Sequence, residues 1–142
     1  MKEIIKMLDE NLAYTKQEIA GDKINIYVKS KRKIINCPYC GTESRKVHSK
    51  KNQKIQDLPI TGKKVNIMLE RRKIFCGNPE CNHKTFAETF EFMGVKSRKT
   101  KHLQEEILRV SLTQSAVSAS KYLRRSVADV GKSTICNMLK KR

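Results

Sequence analysis

Two cysteine pairs limit what this chain can fold into more than any other feature: Cys37-x2-Cys40 in "NCPYCGTES" and Cys76-x4-Cys81 in "FCGNPECNHK". A pair of thiolates two to four residues apart can wrap a metal ion from one tight turn, and zinc takes four such ligands in a tetrahedron. The neighbours of each pair suit that geometry. Pro38 and Gly41 permit a sharp knuckle at the first pair, and Gly77, Asn78 and Pro79 bend the second. The stretch between the pairs carries strand signals. "RKVH", "KIQDL", "KKVNIML" and "RKIF" are β-rich, and Val65, Ile67 and Leu69 share one face at period two. A unit of roughly fifty residues buries too little apolar surface to be secure alone, so an ion joining two turns answers a physical need.

Three other uses of the thiols are weaker. A disulfide framework conflicts with an odd fifth cysteine and with the absence of a secretory signal in "MKEIIKMLDENL". A redox Cys-x-x-Cys calls for a βαβ pattern, which is missing. An iron–sulfur cluster also takes four thiolates, and the spacing favours zinc without excluding iron. With Cys37, Cys40, Cys76 and Cys81 as ligands no coordination position is open to water, so the expected ion is structural. His83 is a secondary substitute for Cys81, and Cys136 reads as a small core residue of a helix. Thiols kept for metal imply a reducing cytoplasm.

The charge is uneven. Residues 1–30 are balanced, so the whole formal charge of +17 over 142 residues lies after Ser30, in runs such as "KSKRK", "ERRK", "KSRKT" and the terminal "KKR". Such a field attracts polyanions, of which nucleic acid is the commonest in a cytosol. A solvated lysine-rich surface is the plain alternative. No apolar run approaches the length of a membrane span.

Periodicity predicts an α+β fold: a small zinc-stapled antiparallel β unit followed by a helical module. Residues 1–30 form a lead-in, with a helix over Lys2–Leu12 and a strand over Ile24–Val28; residues 31–92 form the zinc ribbon, 93–99 a basic linker and 100–142 a helix-turn-helix domain. In that last segment Leu103, Ile107, Leu108 and Leu112 share a helical stripe. Ala116, Val117, Ala119, Ser120 and Leu123 form another, and Ile135, Met138 and Leu139 a third, with Ser133 as the expected N-cap of the last helix. "GKS" at Gly131–Ser133 lacks the glycine five residues earlier that a phosphate loop needs. His48, His102, Asp57 and Asp129 stand apart from one another in sequence, so no catalytic constellation is expected.

Together "CPYCG", "KVHS", "IQDLPITGKKV", "ERRKIFCGNPEC" and "KTFAETF" resemble the N-terminal region of the ISL-three-type insertion-sequence transposases. The resemblance covers Cys37 to about Lys141. It implies a zinc ribbon whose ligands are Cys37, Cys40, Cys76 and Cys81, then a helix-turn-helix over Thr113–Lys141 with "KSTICNMLKK" as recognition helix. In that family an acidic, metal-dependent catalytic domain follows, and the sequence stops at Arg142 where it should begin, so no enzymatic activity is expected of this chain. The expected partner is double-stranded DNA at terminal inverted repeats. Lys132, Ser133, Thr134 and Asn137 are expected to face the major groove, and Arg124, Arg125, Lys140 and Lys141 the phosphates. Lys50, Lys51, Lys54, Lys63, Arg71, Arg72 and Lys73 would extend the contact along the backbone. A zinc-ribbon protein–protein adaptor is the other class of function, with a homodimer through Ile4, Ile5, Leu8 and Leu12 as its mild form; a fragment that binds DNA nonspecifically or represses is the third.

Overall fold

The computed structural model describes residues 2–93 and 97–140. Helix α1 spans Lys2–Leu8, shorter than expected. The Asp9 carboxylate accepts the Asn11 amide at 2.8 Å, an Asx turn that ends the helix and starts strand β1 at Leu12. Strand β1, Leu12–Ala20, was not foreseen. It is an edge strand exposed on both faces for most of its length, so it has no apolar alternation to read. Strand β2 covers Lys23–Ser30; the short β3 (Ile35–Asn36) and β4 (Glu43–Ser44) pair with each other. The long strands β5, Val47–Ile60, and β6, Lys63–Phe75, make one hairpin, and β7, Thr85–Ala87, adds to the far end of β6. The hairpin turn is Thr61–Gly62, both with positive φ, as a two-residue turn matching strand twist requires.

The larger sheet runs β1-β2-β6-β5. Strand β2 pairs with β6 in parallel, Ile24 beside Val65 and Val28 beside Leu69, while the other pairings are antiparallel. The lead-in over residues 1–30 therefore shares a sheet with the ribbon hairpin. Ile24, Ile26, Val28, Ile55, Val65, Ile67 and Leu69 form the sheet's core with Ile5, Leu12, Phe90, Phe92 and Met93. The face expected to join two copies is largely spent in this way: Ile5 and Leu12 are buried in the chain's own core and Leu8 packs against it.

Helices α2 (Lys101–Ser111), α3 (Ala116–Ser126) and α4 (Lys132–Lys140) follow. Thr100 caps α2 by accepting the Leu103 amide, and Ser115 caps α3 by accepting that of Ser118. Leu103, Ile107, Val110, Ala119, Leu123, Val127, Ala128, Val130 and Ile135 meet in a second core. Two members of the expected stripes, Leu112 and Val117, are instead exposed. Ser133 lies inside the first turn of α4, not at its cap.

The helical unit is fastened to β5. Leu58 packs into its core. Gln56 acts as a second backbone: its Nε2 donates to the Asp129 carbonyl (3.2 Å) and its Oε1 accepts the Asp129 amide (2.7 Å). Thr100 Oγ1 donates to Asp57 at 2.7 Å, and Lys64 reaches the Asp129 carboxylate at 3.2 Å. Among the described residues no helix is long and apolar enough to cross a membrane.

Candidate metal centre and nucleic-acid interface

The knuckles are built from backbone hydrogen bonds that the local sequence allows. Gly41, at φ +79°, donates its amide to the Cys37 carbonyl at 2.8 Å, and the Cys37 amide reaches back to Thr42 at 3.0 Å. In the second knuckle the Cys81 amide donates to the Asn78 carbonyl (3.1 Å), and the Cys76 amide to that of Lys84 (2.9 Å). Ser44 joins the two: its buried hydroxyl donates to the Thr42 carbonyl and accepts the Gly77 amide at 2.9 Å. The Tyr39 ring stacks on His83 with centroids 3.5 Å apart, a second clip between the turns. His83 is thereby engaged by a ring, and the fourth sulfur is that of Cys81.

The four Sγ atoms lie within 4.8 Å of one another, with Cys40 and Cys76 at 3.5 Å. Zinc with sulfur at about 2.3 Å in a tetrahedron requires sulfurs about 3.8 Å apart, so the cluster fits the ion. The thiols also call for a cation. Cys40 is lowered to about 6, first by the hydroxyl of Thr42 and then by its amide. The Asn78 amide pulls Cys76 the same way, but burial and the sulfurs of Cys40, Cys37 and Cys81 outweigh it and push that thiol up to about 12. Cys81 is raised as well: the His83 amide lowers it, but burial and Cys40 prevail. Ionising all four sulfurs this close together is opposed, and a divalent ion bound among them would offset that cost. All four ligands are protein sulfurs, so this is a closed, structural zinc site.

The tight seam between the knuckles sets a prediction. A Cβ on Gly77 would sit 2.8 Å from the Glu43 backbone oxygen. Gly77→Ala is expected to cost roughly 1–3 kcal/mol by overpacking and to weaken zinc binding, measured by competition with a chromophoric chelator. Wild-type zinc affinity would show that the seam has slack.

The candidate DNA-contact residues divide. Ser133, Asn137 and Lys140 form an exposed i, i+4, i+7 stripe on α4 opposite buried Ile135, with Lys132 exposed beside them and Thr134 half-buried. Arg125 is exposed at the end of α3, whereas the Arg124 guanidinium braces the turn by donating to the Val130 carbonyl at 3.2 Å. Lys141 and part of the basic linker, residues 94–96, lie outside the described residues. Lys73 is exposed, and Arg71 donates to the Glu88 carbonyl and to Gln53. Lys50 pairs with Glu70 at 3.7 Å, and Lys63 donates to the Gly21 carbonyl.

Arg72 serves the interior. Its guanidinium donates to both carboxylate oxygens of fully buried Glu88, at 3.0 and 3.1 Å, and also to Ser30 Oγ and the Arg32 carbonyl. Ser30 donates to the same carboxylate at 2.5 Å, and Arg32 lies 3.5 Å from it. The site was readable in part: Phe86, Glu88, Phe90 and Phe92 fall at period two, so a carboxylate stands on an otherwise buried aromatic stripe.

The sulfur geometry and the knuckles define a four-cysteine zinc ribbon. Residues 33–81 match the family described as the zinc-finger of transposase IS204/IS1001/IS1096/IS1165. The chain is 34% identical over 59 residues to the transposase for insertion sequence element IS1001 of Bordetella parapertussis, a match covering 42% of this chain and 14% of that protein. No solved structure matches. The resemblance to ISL-three-type transposases is thus found, and it rests on the ribbon.

Proposed function

We propose that this chain is the DNA-binding portion of a transposase, recognising the terminal inverted repeats of an insertion sequence in the cytoplasm. The observation that carries this reading is the exposed Ser133, Asn137 and Lys140 stripe of α4, on a three-helix unit fastened to a transposase-type ribbon. In this reading residues 100–142 act as a helix-turn-helix, with α4 as the reading helix and residues 31–92 as its zinc-held support. Asn137 pairs with an adenine edge, and Lys132, Ser133 and Thr134 line the same groove. Arg125 and Lys140, with Lys141 beyond them, meet phosphates and fix the register. Binding, with no strand cleavage or joining, is the role assigned to these residues.

Selection of bound duplexes from a random pool, with zinc at near-physiological salt, tests the reading; one enriched motif is expected. Asn137→Ala is then expected to cost roughly 1–3 kcal/mol on that motif and little on random duplex. Equal losses on both would remove Asn137 from base reading. Failure to enrich any motif would remove sequence recognition altogether.

A further inference from the structure

One face of the β5–β6 hairpin changes character along its length. On β6 the buried Val65, Ile67 and Leu69 give way, at the same period, to Arg71 and Lys73. The strand register sets Lys51 directly opposite Arg71. Like charges facing each other across strands are destabilising, so the juxtaposition itself costs the free protein, although Arg71 also donates to the Glu88 carbonyl and to Gln53. Around it opens a cleft of about 390 Å³ containing Lys51, Lys54, Arg71, Arg72, Lys73 and Arg98, with no acidic or aromatic residue in its lining. Arg72 is occupied by Glu88. Among the described residues, Lys51, Lys54, Lys73 and Arg98 have no ion-pair partner. Arg98 is tied to the same strand, its carbonyl accepting the Gln56 amide at 2.9 Å.

We propose that this cleft binds the phosphodiester backbone of duplex DNA, beyond the bases read from α4. The inference rests on the DNA-binding reading above and adds a second contact surface to it. Cations without a carboxylate suit phosphate, and the lack of rings leaves no platform for the stacked bases by which single strands are held. The cleft and α4 are carried on one strand. Gln56, two residues beyond Lys54, holds the Asp129 backbone in the turn before α4 through its two hydrogen bonds. Lys51 and Gln56 are roughly 16 Å apart at about 3.3 Å per residue, within the span of one duplex site. The footprint is therefore longer than α4 alone would give.

The test is K51Q/R98Q, which spares the structural Arg71 and Arg72. Affinity at about 0.1 M salt should fall at least about tenfold on selected and random duplexes alike, and the slope of log K against log salt should lessen by about two. The melting temperature of the free protein should hold or rise, which separates this loss from unfolding. Unchanged affinity and slope, with Asn137→Ala still losing its motif preference, would overturn the cleft and leave the DNA-binding reading standing. A wild-type protein that binds no duplex would overturn both, and K51Q/R98Q losing only single-strand binding would overturn the duplex assignment.

Discussion

Replacing Cys40 by serine is expected to abolish zinc binding and unfold the two zinc knuckles of the ribbon while leaving the sheet and helical cores in place. Structural zinc contributes roughly 10–16 kcal/mol of apparent binding free energy in finger peptides, and that energy is folding energy. The knuckle end has little else: its buried cluster is Cys37, Ile74 and Phe86. Losing one thiolate therefore removes the main support of both knuckles. The sheet core around Ile26, Ile55 and Ile67 and the helical core around Leu103, Leu123 and Ile135 share no residue with that cluster. Metal analysis of the purified variant, with amide exchange by NMR, checks both halves of the statement. Protection lost at residues 36–44 and 76–86 but kept in β2, β6 and α2 is the expected pattern. A Cys40→Ser protein that retains stoichiometric zinc and full protection would refute the four-sulfur site.

The second large effect lies outside both the metal site and α4. Glu88→Ala is expected to destabilise the protein by roughly 3–5 kcal/mol, because Arg72, only 16% exposed, and Arg32 lose their counter-charge. For a domain of this size that lowers Tm by roughly 10–20 °C in a thermal melt. Replacing the pair together, as R72M/E88L, should recover much of the loss, since an apolar pair leaves no orphaned charge. A single variant within about 0.5 kcal/mol of wild type would show that water reaches the pair. The same geometry separates Arg72 from its neighbours in the proposed DNA contact. Removing it should act through stability, whereas removing Lys51 or Arg98 should act through salt dependence.

The zinc ligands were legible because coordination is a local matter. Two short turns carry all four sulfurs, and the glycines and prolines that shape those turns are adjacent in sequence. The three C-terminal helices were legible for a similar reason, their apolar stripes being written within each segment, although the caps were not: Ser115 went unread and Ser133 lies inside α4. Strand β1 was not, because an edge strand exposed on both faces has no pattern to distinguish it from a polar helix or loop. Nor was the fate of α1, whose apolar side suited either a second copy or its own sheet until β2 was placed beside β6.

By itself, then, the sequence determined the metal-binding knuckles, the basic polarity after Ser30 and the helical C-terminal unit, since each depends on residues a few positions apart. Only the tertiary structure decided which of the cations are free. Arg71, Arg72 and Lys73 are consecutive in a basic run, but the fold ties Arg72 to a buried carboxylate and Arg71 to the Glu88 carbonyl and Gln53, and leaves Lys73 exposed without an ion-pair partner among the described residues. Only the fold, too, joined Gln56 to Asp129 across 73 positions and so placed the cleft and α4 on one frame. A charge is fixed by its side chain, but its availability depends on long-range pairing that no short stretch of sequence contains.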